Sequence, residues 1–128
     1  SKDEIFENYL NTIYFGRGAY GVETGAQLYF GRGADQLSIP QAAVLASILR
    51  SPGFYDPDYR EGNRERLEAR YKYVLNNMVD EGWITEEEAR SISFPKFSAK
   101  KVEDINSSNR GHLIAAVKTE FSISCVFL

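Results

Sequence analysis

The sequence predicts an all-α protein, and three observations support that fold class. Apolar residues recur at spacings of three and four through most of the chain, which is the period of one helix face. Two capping boxes mark helix starts, Ser38 with Gln41 and Thr85 with Glu88. Glycine and proline residues separate the periodic segments from one another. The 128 residues are enough to close a single hydrophobic core.

The first helix is predicted over residues 2–15, because apolar side chains there share one face. They are Ile5, Phe6, Tyr9, Leu10, Ile13 and Tyr14. A glycine-rich loop follows at residues 16–21. Glycine has no Cβ, so this loop is expected to let the backbone pass close to a helix or a ligand.

Three helices are predicted between the glycine-rich loop and residue 82. A small-residue helix covers residues 22–30, and a second helix begins at the Ser38 capping box. Its body, residues 42–49, is apolar nearly all round, which is typical of a buried helix. The aromatic-rich segment 52–59 is expected to be a loop. The third helix is predicted over residues 63–81 and ends at a glycine.

The C-terminal part of the sequence has weaker patterns. A short helix is predicted from Thr85 to about Ser91, which completes a first region at residues 1–92. Residues 93–110 are polar and lack a period, so they are interpreted as a linker. Residues 111–128 are interpreted as the start of a following region, within which 111–121 is either a final helix or that region's first element.

Composition excludes several classes of function. Lys and Arg number 15 against 18 Asp and Glu, so the net charge of −3 gives no basic field for nucleic acid. One cysteine, Cys125, and one histidine, His112, cannot make an internal disulfide or a structural zinc site. No apolar run approaches the roughly 20 residues that span a bilayer. The start at Ser1 without a methionine leads us to expect an excised piece of a longer protein. The apolar C-terminus either continues into more structure or results from a cloning or reading-frame accident.

The chemistry-bearing residues leave alternatives open. The glycine-rich loop follows a helix and lacks a Lys-Ser/Thr pair, which disfavours a nucleotide site. His112 is more simply a surface or interface residue than part of a Ser-His-Asp arrangement. Glu7 lies at the edge of the apolar face, and Asn11 lies four residues on along the same face. Each is either part of a functional hydrogen-bonding set or incidental, and Tyr9 is either core or ligand contact.

The motif Lys2-x-x-Ile5-Phe6-Glu7-x-Tyr9-Leu10-Asn11 resembles the Lys-x-x-Ile-Leu-Glu-x-Tyr-Leu-Asn signature of peptidoglycan glycosyltransferases. These enzymes form glycosyltransferase family 51, the transglycosylase domain of class A penicillin-binding proteins. The likeness continues, in order and with matching spacing, through further blocks that extend it over residues 2–90. The blocks are residues 14–21, 25–32, 37–46, 51–57, 70–78 and 82–85. The departures are small, among them Gly25 where alanine is usual.

The resemblance implies a lysozyme-like, all-α glycosyltransferase fold, of which this chain is the C-terminal portion. It also implies inverting transfer that polymerises lipid II into glycan strands and expels undecaprenyl pyrophosphate. The family's acidic motif, its Gly-Ser-Thr-x-x-Gln-Gln block and its Arg-Lys-x-x-Glu block do not occur in the 128 residues. Both catalytic glutamates are therefore expected upstream of Ser1, and Glu7 is neither of them. The chain alone is expected to be inactive, with apolar faces such as residues 42–49 uncovered.

By the same resemblance, Tyr9, Asn11 and Arg17 are expected to bind substrate, and Glu7 to orient them. Arg17 suits a diphosphate because guanidinium binds phosphate oxygens bidentately. No cofactor is expected in this part of the enzyme, while Mg or Mn would assist in the longer protein. The expected partners are lipid II, the nascent glycan strand, other cell-wall synthesis proteins and the membrane through an upstream anchor, at the extracytoplasmic face of the bacterial cytoplasmic membrane. The alternatives are a non-catalytic helical module that binds glycan or a partner, and a lysozyme-like hydrolase.

Overall fold

The computed structural model describes residues 1–98, and this part of the chain is all-α, as predicted. A 3₁₀ turn forms at Ala34–Gln36, and an isolated antiparallel bridge joins Tyr14 to Tyr20. The helices are α1 Lys2–Thr12, α2 Val22–Phe30, α3 Ile39–Leu49, α4 Pro52–Tyr55, α5 Asn63–Asp80 and α6 Glu86–Ser91. Several predictions lie outside the described residues: residues 99–110 of the predicted linker, the element predicted at 111–121, His112 and Cys125.

Helix α3 forms the centre of the core and packs against α2, α4 and α5. Its buried residues meet an apolar face of α5. Those of α3 include Ala42, Ala43, Val44, Leu45 and Ile48, and those of α5 include Leu67, Tyr71, Val74, Leu75 and Met78. The prediction of a buried helix is confirmed. The expectation that residues 42–49 are uncovered is wrong, because the neighbouring helices of the same chain supply the covering surface.

Both predicted capping boxes are present. The Ser38 hydroxyl accepts a hydrogen bond from the Gln41 N–H, and the Gln41 side chain accepts one from the Ser38 N–H at 3.0 Å. The same reciprocal pair joins Thr85 and Glu88 at the start of α6. Such caps satisfy N–H groups that have no partner within the helix. These local signals therefore placed the starts of α3 and α6 correctly.

Helix α1 ends at Thr12, three residues before the predicted end. The backbone of Ile13 is extended, and its carbonyl accepts a hydrogen bond from the Gly21 N–H at 2.7 Å. That long-range bond draws the chain into a turn and competes with continued helix. The predicted apolar face is also covered only in part by residues 1–98: Leu10 is buried, while Ile5 is 71% exposed.

The segments on either side of α5 are more ordered than the sequence suggested. The predicted loop at 52–59 begins with one helical turn, α4, which Pro52 starts at the first helical position. Residues 93–98, the first part of the predicted linker, form no helix but lie on the core. There Phe97 stacks on Phe30 at 5.6 Å between ring centroids, and the Ser98 N–H donates to the Tyr29 carbonyl at 2.7 Å.

No helix within residues 1–98 combines the length and the apolar character that crossing a bilayer requires.

Candidate functional site

Tyr9 lines a groove of about 770 Å³ that α1, α3 and α5 enclose. Residues of three kinds surround it: aromatic, aliphatic and charged or polar. The aromatic residues are Tyr9, Tyr73 and Trp83, and the apolar chains are Ala46, Leu49, Val74 and Met78. The charged or polar residues are Arg50, Arg70, Asn77 and Glu81. Tyr9 and Tyr73 are far apart in the sequence, so it is helix packing that brings these positions together. The groove therefore offers apolar surface beside guanidinium groups.

Two arginines give the groove its cationic character. Arg50 caps the C-terminus of α3 and is exposed. The Arg70 guanidinium lies 4.6 Å from the ring centroid of Tyr73, and its buried Nε has no hydrogen-bond partner among residues 1–98. A hydrogen bond with Asn77 lowers the pKa of the Tyr73 hydroxyl, and the Arg70 cation acts in the same direction. Guanidinium groups beside aromatic and aliphatic surface suit an anionic, amphiphilic ligand.

The glycine-rich loop returns the chain against the end of α1. At Gly21, φ is 87° and ψ is 150°, a conformation that is essentially restricted to glycine. A Cβ on this residue would lie 2.5 Å from the carbonyl oxygen of Asn11. The prediction that these glycines allow close approach to a helix is therefore confirmed.

Arg17 lies within this loop and makes an ion-pair cluster with the segment after α4. Its Nε donates to Asp56 Oδ2 at 2.7 Å, its Nη2 donates to Asp56 Oδ1, and Nη2 also donates to Asp58 at 2.9 Å. The guanidinium carbon lies 4.8 Å from the ring centroid of Tyr29. The hydrogen bonds to Asp56 raise the pKa of Arg17 despite the opposing effect of burial. Burial raises the pKa of Tyr29, whose hydroxyl donates to the Phe15 carbonyl at 2.8 Å.

Asp56 is 5% exposed and is held by a network of its own. Its Oδ1 accepts a hydrogen bond from the Asp58 N–H at 3.0 Å. The side-chain amide of buried Asn63 donates to the carbonyls of Asp56 at 2.8 Å and Gly53 at 3.2 Å. Arg66 donates in turn to the Asn63 side-chain oxygen at 2.7 Å. The junction between α4 and α5 thus presents a pre-positioned carboxylate to Arg17.

The structure separates the predicted site residues into two places. Tyr9 lines the groove with the arginines of α3 and α5, whereas Arg17 is not among the described residues that line it. Glu7 and Asn11 are half-buried on α1, and each makes interactions within the protein. The substrate-binding roles of Tyr9, Asn11 and Arg17, and the orienting role of Glu7, stay predictions.

Three residues that the geometry singles out were not predicted from the sequence. Arg50 follows the buried helix, and Arg70 lies in a motif block, but neither position indicates that the side chain reaches the groove of Tyr9. Asp56 stands in a Tyr-Asp-Pro triplet, a sequence typical of a turn. Its partner Arg17 is 39 residues away along the chain.

Within residues 1–98, no three His, Cys, Asp or Glu side chains are grouped so that they could hold a metal ion.

Comparison with known proteins identifies the family to which this fold belongs. The sequence model of the family described as "Transglycosylase" matches residues 1–79. Penicillin-binding protein 1A of Escherichia coli is 40% identical over 115 residues, and that of Aquifex aeolicus is 43% identical over 100 residues. These matches cover 90% and 78% of this chain, but 12% and 13% of the relatives.

A solved structure agrees with these sequence matches. The crystal structure of penicillin-binding protein 1A from Haemophilus influenzae has a TM-score of 0.69 and 36% sequence identity. The match covers 80% of this chain and 15% of that one, so the chain spans a small part of the relatives' length. The family model nevertheless covers more than half of this chain, and the blocks at residues 2–90 resemble the same family. The chain therefore belongs to the transglycosylase family.

Proposed function

We propose that this chain is part of a peptidoglycan glycosyltransferase of the bacterial cell envelope, which polymerises lipid II into glycan strands. The supporting observation is the groove in which Tyr9, from the family signature, lies with Arg50 and Arg70. Lipid II joins a diphosphate to an isoprenoid and a disaccharide. The groove offers the matching chemistry, because it combines guanidinium groups with aromatic and aliphatic surface.

In this proposal the chain forms one wall of the substrate site. Arg50 and Arg70 stabilise the diphosphate as negative charge develops on it during departure. Tyr9 packs against the lipid-linked sugar or the first isoprenoid units. Asn11, two residues further along α1, donates a hydrogen bond that orients the substrate. These roles require binding and charge stabilisation, and none requires a proton transfer from this chain.

The proton-transfer groups are proposed to come from sequence that precedes Ser1 in the longer protein. A carboxylate there accepts the proton of the acceptor 4-hydroxyl, and that oxygen attacks C1 of the growing strand. The bond from C1 to the diphosphate breaks with inversion, and undecaprenyl pyrophosphate leaves. A divalent metal such as Mg or Mn stays a proposal for the longer protein, and the binding roles of Arg50, Arg70, Tyr9 and Asn11 do not depend on one.

The same proposal gives the location and partners. The longer protein is anchored by an upstream segment and acts at the extracytoplasmic face of the cytoplasmic membrane. It meets lipid II and the nascent glycan strand there, together with other cell-wall synthesis proteins.

The test uses the longer protein encoded by this gene and measures polymerisation of lipid II. Arg50→Ala should lower kcat/KM for lipid II about tenfold, because it removes a charge-assisted contact to the diphosphate and to the negative charge that develops on it. Arg32→Ala is the matched control, since Arg32 is also an arginine at the surface but does not line the groove. Equal effects of the two substitutions would contradict the proposed role of the groove.

The 128-residue chain provides a second arm. It should form no glycan polymer, and polymer above the buffer control would contradict the placement of the catalytic carboxylates. Absence of polymerisation by the unsubstituted longer protein, together with retained glycan binding, would favour a non-catalytic binding module.

A further inference from the structure

We propose that Arg17 is a positioning residue, which fixes the loop at residues 13–21 through Asp56 and does not contact the substrate diphosphate. The inference deepens the proposed function, and only its activity measurement rests on that function. Arg17 is a predicted substrate contact that, like Asn11, does not line the groove of Tyr9.

The guanidinium of Arg17 already has anionic partners. Its Nε and Nη2 donate to two carboxylates, and one of its faces lies over the ring of Tyr29. The cluster holds one cation and two anions, so its net charge is −1. Asp58 is 71% exposed and would face an approaching anion. A diphosphate would therefore have to displace a bidentate carboxylate pair and approach a second carboxylate.

The backbone of the loop is strained at the same residue. Arg17 has φ of 53° and is the only non-glycine residue with a positive φ in the described part of the chain. Such a conformation persists only when surrounding contacts hold it. The fork of the guanidinium on Asp56 supplies that hold, because it connects the loop to the rigid junction between α4 and α5.

The loop carries a pair of aromatic side chains at the surface. The rings of Tyr14 and Tyr20 pack at 4.8 Å between centroids, and both are exposed. The Tyr14 hydroxyl accepts a hydrogen bond from the Gly18 N–H at 3.2 Å, directly after Arg17. The loop ends where the Gly21 N–H meets the Ile13 carbonyl, close to the end of α1. Arg17 therefore determines the placement of an exposed tyrosine pair and of the end of α1.

The structural test uses amide hydrogen exchange in the 128-residue chain, with Arg17→Met, Asp56→Asn and the double variant. Asparagine keeps the oxygen that accepts from the Asp58 N–H, so it removes the ion pair and retains the turn. Each single variant should speed exchange of the Ala19 and Gly21 amides about tenfold. The double variant should exchange no faster than the worse single variant, because both substitutions remove one shared interaction.

Two controls keep this measurement specific. Asp58→Asn should change loop exchange less than about threefold, since that carboxylate is exposed. The second control is that amides of α3 and α5 should keep their protection in every variant. Arg17→Lys, which keeps the charge but loses the two-pronged hydrogen bonding to Asp56, is a milder substitution than Arg17→Met. Unchanged loop exchange in both Arg17→Met and Asp56→Asn would overturn the proposal.

The kinetic test separates positioning from direct contact in the longer protein. Positioning predicts that Arg17→Met and Asp56→Asn both lower kcat by a similar factor and leave the KM for lipid II nearly unchanged. Direct contact predicts that Arg17→Met raises KM while Asp56→Asn, which weakens the hold on the guanidinium, does not, and that result would overturn the proposal. If the unsubstituted protein does not polymerise lipid II, the proposed function fails, and the exchange measurement still decides the role of Arg17.

Discussion

The loop at residues 13–21 and the helix pair α3–α5 are stabilised in opposite ways. The loop depends on glycine conformations, one strained arginine and an ion pair with Asp56. The helix pair depends on apolar burial, with Leu45 and Leu67 fully buried between neighbouring helices. The loop is therefore sensitive to backbone geometry and charge, whereas the helix pair is sensitive to side-chain volume.

The sharpest test of this comparison is Gly21→Ala. The new Cβ would lie 2.5 Å from the Asn11 carbonyl oxygen, in a backbone conformation that alanine does not adopt. We expect the free energy of unfolding to fall by about 4 kcal/mol or more, measured by chemical denaturation. Gly53→Ala is the control, because within residues 1–98 no atom beyond its chain neighbours and the backbone of its own helix lies within 4 Å of the added Cβ. Equal free energies of unfolding for the two variants would show that the backbone conformation at Gly21 does not limit stability.

On the other side of the comparison, Leu45→Ala removes volume from the centre of α3. Leu45 is fully buried, so the loss combines transfer free energy with a cavity and should be about 3 kcal/mol. Ile5→Ala is the control, since Ile5 is largely exposed within residues 1–98 and should change stability by less than about 0.5 kcal/mol. A loss below about 1 kcal/mol for Leu45→Ala would contradict close packing of the helix pair.

Tyr71 tests a buried hydroxyl on the α5 face of the core. Its oxygen has no hydrogen-bond partner among residues 1–98, and burial raises the pKa of this tyrosine to about 12. The unfolded chain releases this proton near pH 10, so Tyr71 should contribute a decline in stability of about 2 kcal/mol between pH 10 and pH 12.

Tyr71→Phe should remove this contribution and leave stability at pH 7 unchanged or about 1 kcal/mol higher. Tyr29 keeps its own share of the decline, because burial raises its pKa as well. The free energy of unfolding is measured by urea titration at each pH. Tyr20→Phe is the control, because the ring of Tyr20 is exposed. An identical pH profile for the Tyr71 and Tyr20 variants would contradict this assignment.

The smallest effect is expected at Gly25 of α2, which packs against Phe15 of the loop. A Cβ there would lie 3.0 to 3.3 Å from ring and Cβ atoms of Phe15, which must shift by a few tenths of an ångström. Alanine gains about 1 kcal/mol of helix propensity in α2, while tighter packing on Phe15 costs about as much. Thermal unfolding of Gly25→Ala should therefore stay within about 1 kcal/mol of the unsubstituted chain. A larger loss would mean that Phe15 cannot move.

The predictions from sequence succeeded where the signal is local. Ser38 and Thr85 started helices because a capping box acts within three residues. Residues 42–49 were predicted to be buried because an all-round apolar helix has no other stable place. The end of α1 was misplaced because the bond between Ile13 and Gly21 connects residues eight positions apart, which helical periodicity does not register.

By itself, the sequence determined five of the six helices of residues 1–98, the glycine turns and the membership of the transglycosylase family, since motifs and caps act over a few residues or survive as ordered blocks. Only the tertiary structure decided which side chains share a site. It placed Tyr9 with Arg50 and Arg70, and it placed Arg17 with Asp56. The physical reason is that ion pairs and grooves form between residues that helix packing brings together. The local sequence around a charged residue does not indicate which distant residue will be its partner.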